Sequence, residues 1–201
     1  MKRAFDIVAG IALLLLAAPL FAIVTITLKA RRGGSVLFSQ PREGRDGERF
    51  CMWKFRTMVP DGDEVLAAHL ASDPAAREQW DRYFCLTDDP RIDGRTGWWM
   101  RRLSLDELPQ LWNVVRGDMS LVGPRPLPGF IIETLPASLL GCRRSVRPGM
   151  TGLWQVAGRS DLDIESMIEL DSRYVTARSF SGDLAILLRT PRVVVQATGA
   201  H

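Results

Sequence analysis

Residues 7–28 read IVAGIALLLLAAPLFAIVTITL and contain no charged side chain. As one α-helix, this stretch would extend about 33 Å, which is enough to cross the hydrocarbon core of a bilayer. A cleaved signal peptide does not fit, because the apolar run is too long and ends in Leu28-Lys29-Ala30-Arg31-Arg32 without a small-x-small cleavage site. The stretch therefore predicts a segment that stays in a membrane.

The flanks and the middle of this stretch favour a re-entrant hairpin. Lys2 and Arg3 precede the stretch, and it is followed by Lys29, Arg31 and Arg32. The positive-inside rule then places both ends on the cytoplasmic side. Pro19 removes one backbone donor and bends the helix, which leaves two limbs that are each too short to span. A single-pass anchor that tolerates the proline is the alternative interpretation.

The composition is that of an ordinary globular protein. With 46% apolar and 24% charged residues in 201, the chain does not fit the disordered, collagenous or coiled-coil classes. Cys51, Cys85 and Cys142 form no CxxC pair and have no histidine cluster near them, which excludes a disulfide scaffold and a zinc site. The net charge of +3 is concentrated near the N-terminus, where it could serve an anionic membrane or phosphate ligands.

The chain divides into a membrane-anchoring helix over residues 1–32 and a cytoplasmic domain over 33–201. Residues 61–93 form an acidic insertion, with three Lys or Arg against nine Asp or Glu, which is typical of a solvated surface. Hydrophobic patterning predicts strands over 35–39 and 50–58, two short helices within 63–83, and further helices over 104–115 and 163–177. We therefore expect a mixed α/β fold that is mainly helical.

The strongest chemical candidate is Ser104-Leu105-Asp106-Glu107-Leu108-Pro109-Gln110-Leu111-Trp112. An ordinary helix start is the alternative, because Ser104 and Glu107 fit a capping box and Asp106 would favour the helix dipole. Pro109 weakens that interpretation, since it would fall inside the helix. Adjacent carboxylates on a helix diverge by about 100°. Asp106 and Glu107 can therefore face different reaction partners, one attacking and the other handling a proton.

Arginines in loops rich in glycine and proline surround this pair. Arg101 precedes it, Arg125 stands between two prolines, and two further loops carry Arg147 and Arg159. Stiff loops that present arginine suit bidentate recognition of phosphate. For any single arginine, a solvated charge or one that faces lipid headgroups is the alternative.

Asp171 interrupts an apolar pattern. In the predicted helix over 163–177 it lies on the same face as Ile164, Met167, Ile168 and Val175. A carboxylate on a buried face should be paired or functional. Pairing with an arginine and contact with a metal or substrate are both open.

Taken in order, these motifs resemble those of the bacterial sugar transferase family, the monotopic phosphoglycosyl transferases that start capsule, O-antigen, exopolysaccharide and glycoprotein glycans. The resemblance covers nearly the whole chain. It is carried by Lys54-Phe55-Arg56-Thr57-Met58, Arg101 with residues 104–108, residues 117–126, 147–152 and 155–159, and Glu169-Leu170-Asp171 with Tyr174-Val175. It corresponds to the catalytic unit, without the additional N-terminal domain of larger members.

The resemblance implies transfer of a sugar 1-phosphate from a UDP-sugar to undecaprenyl phosphate, with release of UMP. Asp106 would form a covalent phosphosugar intermediate and Glu107 would handle a proton. Mg²⁺ would be held by Asp106, with Asp171 as a further contributor, because hard cations prefer carboxylate and diphosphate oxygens. The residues expected to bind substrate are Lys54, Arg56, Arg101, Arg125, Arg147, Gln155, Arg159 and Asp171.

The resemblance also implies a location and a donor class. A re-entrant helix hairpin and a small catalytic domain with amphipathic interfacial helices would lie on the cytoplasmic face of a bacterial inner membrane, against membrane lipids. The length of the insertion and Gly152-Leu153-Trp154-Gln155 favour the hexose 1-phosphate branch, with UDP-glucose or UDP-galactose as donor, and a UDP-N-acetylated amino sugar is the alternative. A homodimer is left open. Binding of nucleic acid is not expected, since no reading motif is visible, and a structural subunit of a larger synthase is the remaining rival.

Overall fold

The computed structural model describes residues 1–197 and Gly199. The fold is mainly helical, with two small two-stranded sheets. In chain order the elements are α1 (Lys2–Arg32), β1 (Leu37–Glu43), β2 (Arg49–Phe55), α2 (Gly62–Ser72), α3 (Pro74–Tyr83), α4 (Gly94–Arg102), α5 (Gln110–Arg116), β3 (Ser120–Val122), α6 (Gly129–Ile132), α7 (Ala137–Arg144), β4 (Gly149–Thr151), α8 (Leu153–Ala157), α9 (Ile164–Ala177) and α10 (Phe180–Gln196).

The N-terminal helix α1 is long and apolar enough to cross a membrane, and only 11% of its most apolar window is buried. Helical structure continues through Pro19 for 31 residues. The two separate limbs of a hairpin are therefore not shown, and the re-entrant hairpin stays a prediction. Along α1, large apolar side chains are exposed at Val8, Ile11, Leu13, Leu15, Leu16, Ile23 and Ile26.

Residues on both sides of Pro19 pack against the globular domain. In the second half of α1, Val24 and Leu28 are buried in a cluster that also contains Phe55. Leu108 contacts this cluster and also the main core of the domain. From the first half of α1, the side chains packed against that main core are Phe5, Ala9 and Leu14. The helix is thus attached to the domain along both halves.

The first turns of α1 are held by a polar network rather than by apolar packing alone. The Lys2 ammonium lies 2.7 Å from Asp183 Oδ2 and donates to the Val122 carbonyl at 3.1 Å. Asp6, which is 2% exposed, accepts hydrogen bonds from Ser120 Oγ and the Leu121 amide. Lys2, one of the basic residues that flank the apolar stretch, therefore binds the domain.

The two sheets set the positions of the loops. β1 and β2 form an antiparallel hairpin in which Leu37 lies opposite Phe55 and Glu43 opposite Arg49. The predicted strand over 35–39 was too short, because this hairpin register continues through Pro41 and Arg42. β3 and β4 pair in parallel.

Two backbone segments approach each other closely at the end of β3. A Cβ on Gly149 would lie 2.0 Å from the Gly123 amide nitrogen, and one on Gly152 would lie 2.2 Å from the Gly123 carbonyl oxygen. Only glycine allows backbones to approach so closely. The loop after β3, which carries Arg125, is therefore fixed against residues 147–152.

Most of the predicted helices are confirmed, with one correction. The insertion forms α2 and α3, and Asp73 caps α3 by accepting from the Ala75 and Ala76 amides, with Pro74 at the first helical position. The predicted helix over 163–177 is confirmed as α9. The predicted helix over 104–115 was wrong at its start. Residues 105–107 form a 3₁₀ turn and α5 begins only at Gln110, because Pro109 cannot continue a helix begun at Ser104.

Candidate active site

The short 3₁₀ turn Leu105–Glu107 carries the adjacent carboxylates. Ser104, just before it, has a left-handed backbone with φ of 53° and makes no side-chain capping hydrogen bond. Glu107 bonds instead to cations on other elements. The interpretation of this motif as a capping box was therefore wrong, and the two carboxylates are available for another role.

Glu107 is bound by two cations from different parts of the fold. Lys54, near the end of β2, donates to Glu107 Oε1 at 2.8 Å, and Arg125 Nη2 donates to the same oxygen at 3.1 Å. The Lys54 ammonium also lies 3.8 Å from Asp106 Oδ2. Residues from β2, the 3₁₀ turn and the loop after β3 thus converge at one site.

The adjacent carboxylates have opposite electrostatic environments. Burial raises the pKa of Asp106, which is 4% exposed, and the negative charge of Glu107 raises it further, against the opposing charges of Lys54 and Arg101. Burial also disfavours the charged form of Glu107, but the charges and hydrogen bonds of Lys54 and Arg125 hold its pKa well below the usual range. Glu107 is a fixed anion at neutral pH, whereas Asp106 is the more basic carboxylate.

Further arginines contribute positive charge to this site. The charge of Arg101 acts on Asp106, and Arg159 interacts with both carboxylates. Arg159 is held in a left-handed backbone conformation with φ of 52°, next to Gly158. The Arg125 guanidinium lies 5.6 Å from the centre of the Trp154 ring. The structure therefore brings together the predicted residues Asp106, Glu107, Lys54, Arg101, Arg125 and Arg159.

Asp171 has the arginine partner that was one of its two predicted alternatives. It is fully buried and ion-paired with Arg143, which also donates to the backbone carbonyl of Arg125. Burial raises the pKa of Asp171 to about 6, against the opposing charge of Arg143. Asp171 is thus linked to the Arg125 loop through Arg143. Direct contact of Asp171 with substrate or metal stays a prediction.

Three other predicted ligands have different surroundings. Arg147 donates from Nε to the Gly117 carbonyl at 2.8 Å, which ties its loop to the end of α5. Arg56 follows β2, and its buried Nε has no hydrogen-bond partner in residues 1–197 or Gly199. Gln155 on α8 is 4% exposed, and neither of its amide atoms has a partner within the same described residues. Their roles in binding stay predictions.

Arg42 is a charged residue near the site that the sequence analysis did not single out. It lies on β1, and the charges of Arg125 and Glu107 both act on it. The predicted strand over 35–39 ends before Arg42, so the residue was placed outside the strand. Arg42 shares one strand face with Phe38 and Gln40. This alternation would have predicted its position only if the strand had been extended to Glu43.

Asp106 suits Mg²⁺ as one ligand among several. No group of three His, Cys, Asp or Glu side chains that could hold a metal occurs among the described residues. Mg²⁺ typically binds through one or two carboxylates plus substrate phosphates and water, rather than in an all-protein cage. The donor chemistry at Asp106 therefore fits a metal that arrives with a diphosphate.

The chain is similar to known proteins along nearly its whole length. Residues 1–197 match the family model of the bacterial sugar transferases. A UDP-galactose-lipid carrier transferase of Erwinia amylovora is 46% identical over 201 residues, which is 100% of this chain and 42% of that protein. An undecaprenyl-phosphate galactose phosphotransferase of Salmonella typhimurium is 44% identical, with the same coverage. The exopolysaccharide production protein ExoY of Rhizobium meliloti is 42% identical over 200 residues, which is 88% of its length. The chain thus spans about two fifths of the first two relatives.

Proposed function

The chain belongs to the bacterial sugar transferase family, and on that basis we propose that it transfers a sugar 1-phosphate from a UDP-sugar to undecaprenyl phosphate and releases UMP. The names of two relatives include galactose, and one of them includes undecaprenyl phosphate. These names support a UDP-hexose donor, UDP-galactose or UDP-glucose, with a UDP-N-acetylated amino sugar as the alternative. The name of the third relative supports a place at the first membrane step of exopolysaccharide or a related glycan.

The observation that carries this proposal is a buried, basic carboxylate inside a ring of cations. An oxygen of Asp106 attacks the phosphorus that bears the sugar, and the bond from that phosphorus to the UMP oxygen breaks. A phosphate oxygen of undecaprenyl phosphate then attacks the same phosphorus, and the bond to Asp106 breaks. Lys54 and Arg125 stabilise the negative charge on the phosphorus-bound oxygens in both steps.

Glu107 first holds the cations in place. Because its pKa is low while Lys54 and Arg125 are bound to it, Glu107 is a poor proton acceptor before substrate arrives. A bound diphosphate competes for both cations, and loss of these partners would raise the pKa of Glu107. Proton handling by Glu107 therefore belongs to the substrate complex.

Mg²⁺ is the cofactor that we propose, held by Asp106 together with diphosphate oxygens. When bound, it supplies charge neutralisation at the diphosphate. Addition of EDTA should stop turnover, and Mg²⁺ or Mn²⁺ should restore it better than Zn²⁺. Full activity in EDTA would mean that the lysine and arginine side chains alone neutralise the phosphate charge.

The central test is a covalent adduct. Detergent-purified protein with Mg²⁺ and the correct UDP-sugar, but without undecaprenyl phosphate, should release UMP and carry a phosphosugar mass on the peptide that contains Asp106. A screen of UDP-galactose, UDP-glucose and UDP-N-acetylated amino sugars identifies the donor by the same readout. No adduct and no UMP with any donor would contradict the proposal and favour a structural subunit.

The attachment of α1 supports a re-entrant membrane anchor on the cytoplasmic face. In a straight helix, Phe5 and Leu28 would lie about 35 Å apart. Phe5 packs against one buried cluster of the domain and Leu28 belongs to another, and Leu108 contacts both clusters. A bend at Pro19, where a backbone donor is missing, would bring both ends to the same side of the membrane.

Helix α10 supports contact with the same membrane surface. Its exposed apolar side chains recur at the spacing of one helix face, and the ring of Phe180 packs edge-on against Phe5 of α1 at 5.3 Å. This apolar face is therefore continuous with the membrane helix, as in helices that lie in a membrane interface. The exposed residues on this face are Phe180, Leu184, Leu188 and Val195, flanked by exposed Arg189 and Arg192.

Membrane topology can be tested directly. If α1 is re-entrant, a reporter before Lys2 and the domain after α1 should both resist labelling from the periplasm. Replacing Pro19 with Leu restores the missing donor and should shift some molecules to a spanning state with lower activity. Labelling of the wild-type N-terminus from outside would contradict the re-entrant anchor.

A further inference from the structure

Arg42 projects from the same face of the β1–β2 hairpin as Lys54. In the antiparallel register, Phe38 lies opposite Lys54 and Arg42 lies opposite Phe50. Because side chains alternate between the faces of a strand, residues 38, 40 and 42 share one face with residues 50, 52 and 54. The hairpin therefore presents two cations, Lys54 and Arg42, on the face that carries the Glu107 contact.

Within the described residues, the Arg42 guanidinium has no hydrogen bond or ion pair with a carboxylate. Its Nη2 donates to the neutral amide oxygen of Gln40 at 2.6 Å. Its Nε is buried and has no hydrogen-bond partner in the part of the chain that the structure describes. A guanidinium that is buried without a counter-charge is costly. Something outside the described contacts should therefore compensate its charge.

The nearest charges make this imbalance larger. Burial and the like charge of Arg125 lower the pKa of Arg42 to about 9, and Glu107 opposes them. However, Glu107 Oε1 already accepts from both Lys54 and Arg125. The carboxylate that acts on Arg42 is therefore already bonded to Lys54 and Arg125.

We propose that Arg42 and Arg125 together bind a phosphate group of a substrate. The guanidinium forks of two arginines match the oxygens of a phosphate, and an anion between them would relieve their mutual repulsion and supply a partner for Arg42 Nε. The phosphate belongs either to the donor diphosphate or to the lipid acceptor. This inference rests on the proposed function, and both sources share the chemistry of a phosphate with more than one free oxygen.

The test compares Arg42→Gln with Arg49→Gln. Arg49 is exposed on the opposite face of the same hairpin, so its variant controls for charge and for the hairpin itself. Loss of a charge-assisted contact predicts that Arg42→Gln raises one KM by about 10- to 100-fold, whereas Arg49→Gln should stay within about twofold of wild type.

Separate kinetic measurements on the donor and on the acceptor distinguish the two sources of the phosphate. If Arg42 binds the donor, half-saturation by UDP-galactose in adduct formation without acceptor rises. If Arg42 binds the acceptor, the adduct forms normally and only the KM for undecaprenyl phosphate rises. Both KM values within about twofold of wild type in folded Arg42→Gln would overturn the inference.

A binding measurement separates this inference from the proposed function. Inorganic pyrophosphate should raise the thermal midpoint of wild type and of Arg49→Gln, and should raise that of Arg42→Gln much less, whether or not the protein releases UMP. Equal stabilisation of all three proteins would overturn the inference.

If Arg42→Gln does not fold, Arg42→Lys is the second variant. It keeps the charge but loses the planar guanidinium, and it should raise the same KM several-fold rather than tenfold or more.

Discussion

Two buried ionic clusters lie in different parts of the molecule and differ in how completely their polar groups are hydrogen-bonded. The N-terminal cluster attaches the start of α1 to β3. It is made of Lys2, Asp6, Ser120, Tyr174 and Asp183. Lys2 neutralises Asp183, Tyr174 donates to Asp183 Oδ1 at 2.7 Å, and both oxygens of Asp6 accept hydrogen bonds. Its polar groups are satisfied by one another, as is expected of a structural network.

The cluster at the candidate active site, made of Asp106, Glu107, Lys54, Arg125 and Arg42, differs in this respect. Its cations outnumber its carboxylates, and Arg42 Nε is buried with no hydrogen-bond partner in the described part of the chain. Burial and the charge of Glu107 raise the pKa of Asp106 by more than the charges of Lys54, Arg101 and Arg125 lower it. A cluster that keeps a buried, unpartnered donor in the free protein is organised for a ligand, whereas one whose polar groups satisfy one another holds the fold together.

The largest expected effect comes from Asp106→Asn. The amide keeps the volume of the side chain but cannot attack phosphorus, so turnover should fall by about 10⁴-fold or more. Stability should not fall, because burial already disfavours the charged form of Asp106. UMP release and thermal unfolding in detergent measure the two effects. Activity within tenfold of wild type would contradict the assignment of Asp106 as nucleophile.

The carboxylate pair and its cations, which the structure brings together, could be predicted from sequence because they occur in compact local motifs. Asp106 and Glu107 are adjacent, and Lys54 and Arg125 stand in short, distinctive contexts. The helices α3 and α9 were predicted because Asp73-Pro74 and Asp163 give local start signals that tertiary contacts do not override.

Other parts of the site depend on long-range geometry that sequence patterns do not contain. A loop rich in glycine and proline indicates that Arg147 is held stiffly, but not that it turns towards Gly117 instead of the carboxylates. Arg42 was missed because its strand is defined only by pairing with β2. The bonds from Lys2 and Asp6 to β3 and α10 join residues more than 100 positions apart.

The buried ion pair between Asp171 and Arg143 belongs to neither cluster. Arg143 also donates to the Arg125 carbonyl. The pKa of Asp171 is raised to about 6 from 3.8, so the folded protein binds this proton more tightly than the unfolded chain does. Its contribution to stability is full below about pH 4 and is lost as the pH rises through 6, which amounts to about 3 kcal/mol. The free energy of unfolding, measured from pH 4 to 7, should show this fall in wild type.

The Asp171→Asn variant cannot titrate at this position and is the control. Its unfolding free energy should vary less over the same pH range, although it loses the Arg143 ion pair and is less stable at pH 7. Identical pH profiles for the two proteins would mean that Asp171 is ionised throughout and fully compensated by Arg143.

A smaller effect is expected in the N-terminal cluster. Asp183→Asn removes the charge that neutralises Lys2 but keeps an acceptor for Tyr174, and Lys2 is partly exposed and can bind water. The free energy of unfolding should fall by about 2 kcal/mol, while turnover of the folded variant stays within about threefold of wild type. Loss of turnover without loss of stability would mean that the N-terminal cluster also has a catalytic role.

The smallest effect is expected for an ion pair outside both clusters. On α3 in the acidic insertion, Arg77 Nε lies 3.5 Å from Asp81 Oδ2, and both side chains are more than half exposed. Water screens such a pair, and an arginine placed four residues before its acidic partner has the less favourable orientation to the helix dipole. Arg77→Ala should therefore change the free energy of unfolding by less than about 0.5 kcal/mol, with turnover unchanged. A double-mutant cycle with Asp81→Ala, in low and high salt, isolates the pair. A coupling above about 1 kcal/mol would mean that burial is not what separates the strong ion pairs of this fold from the weak ones.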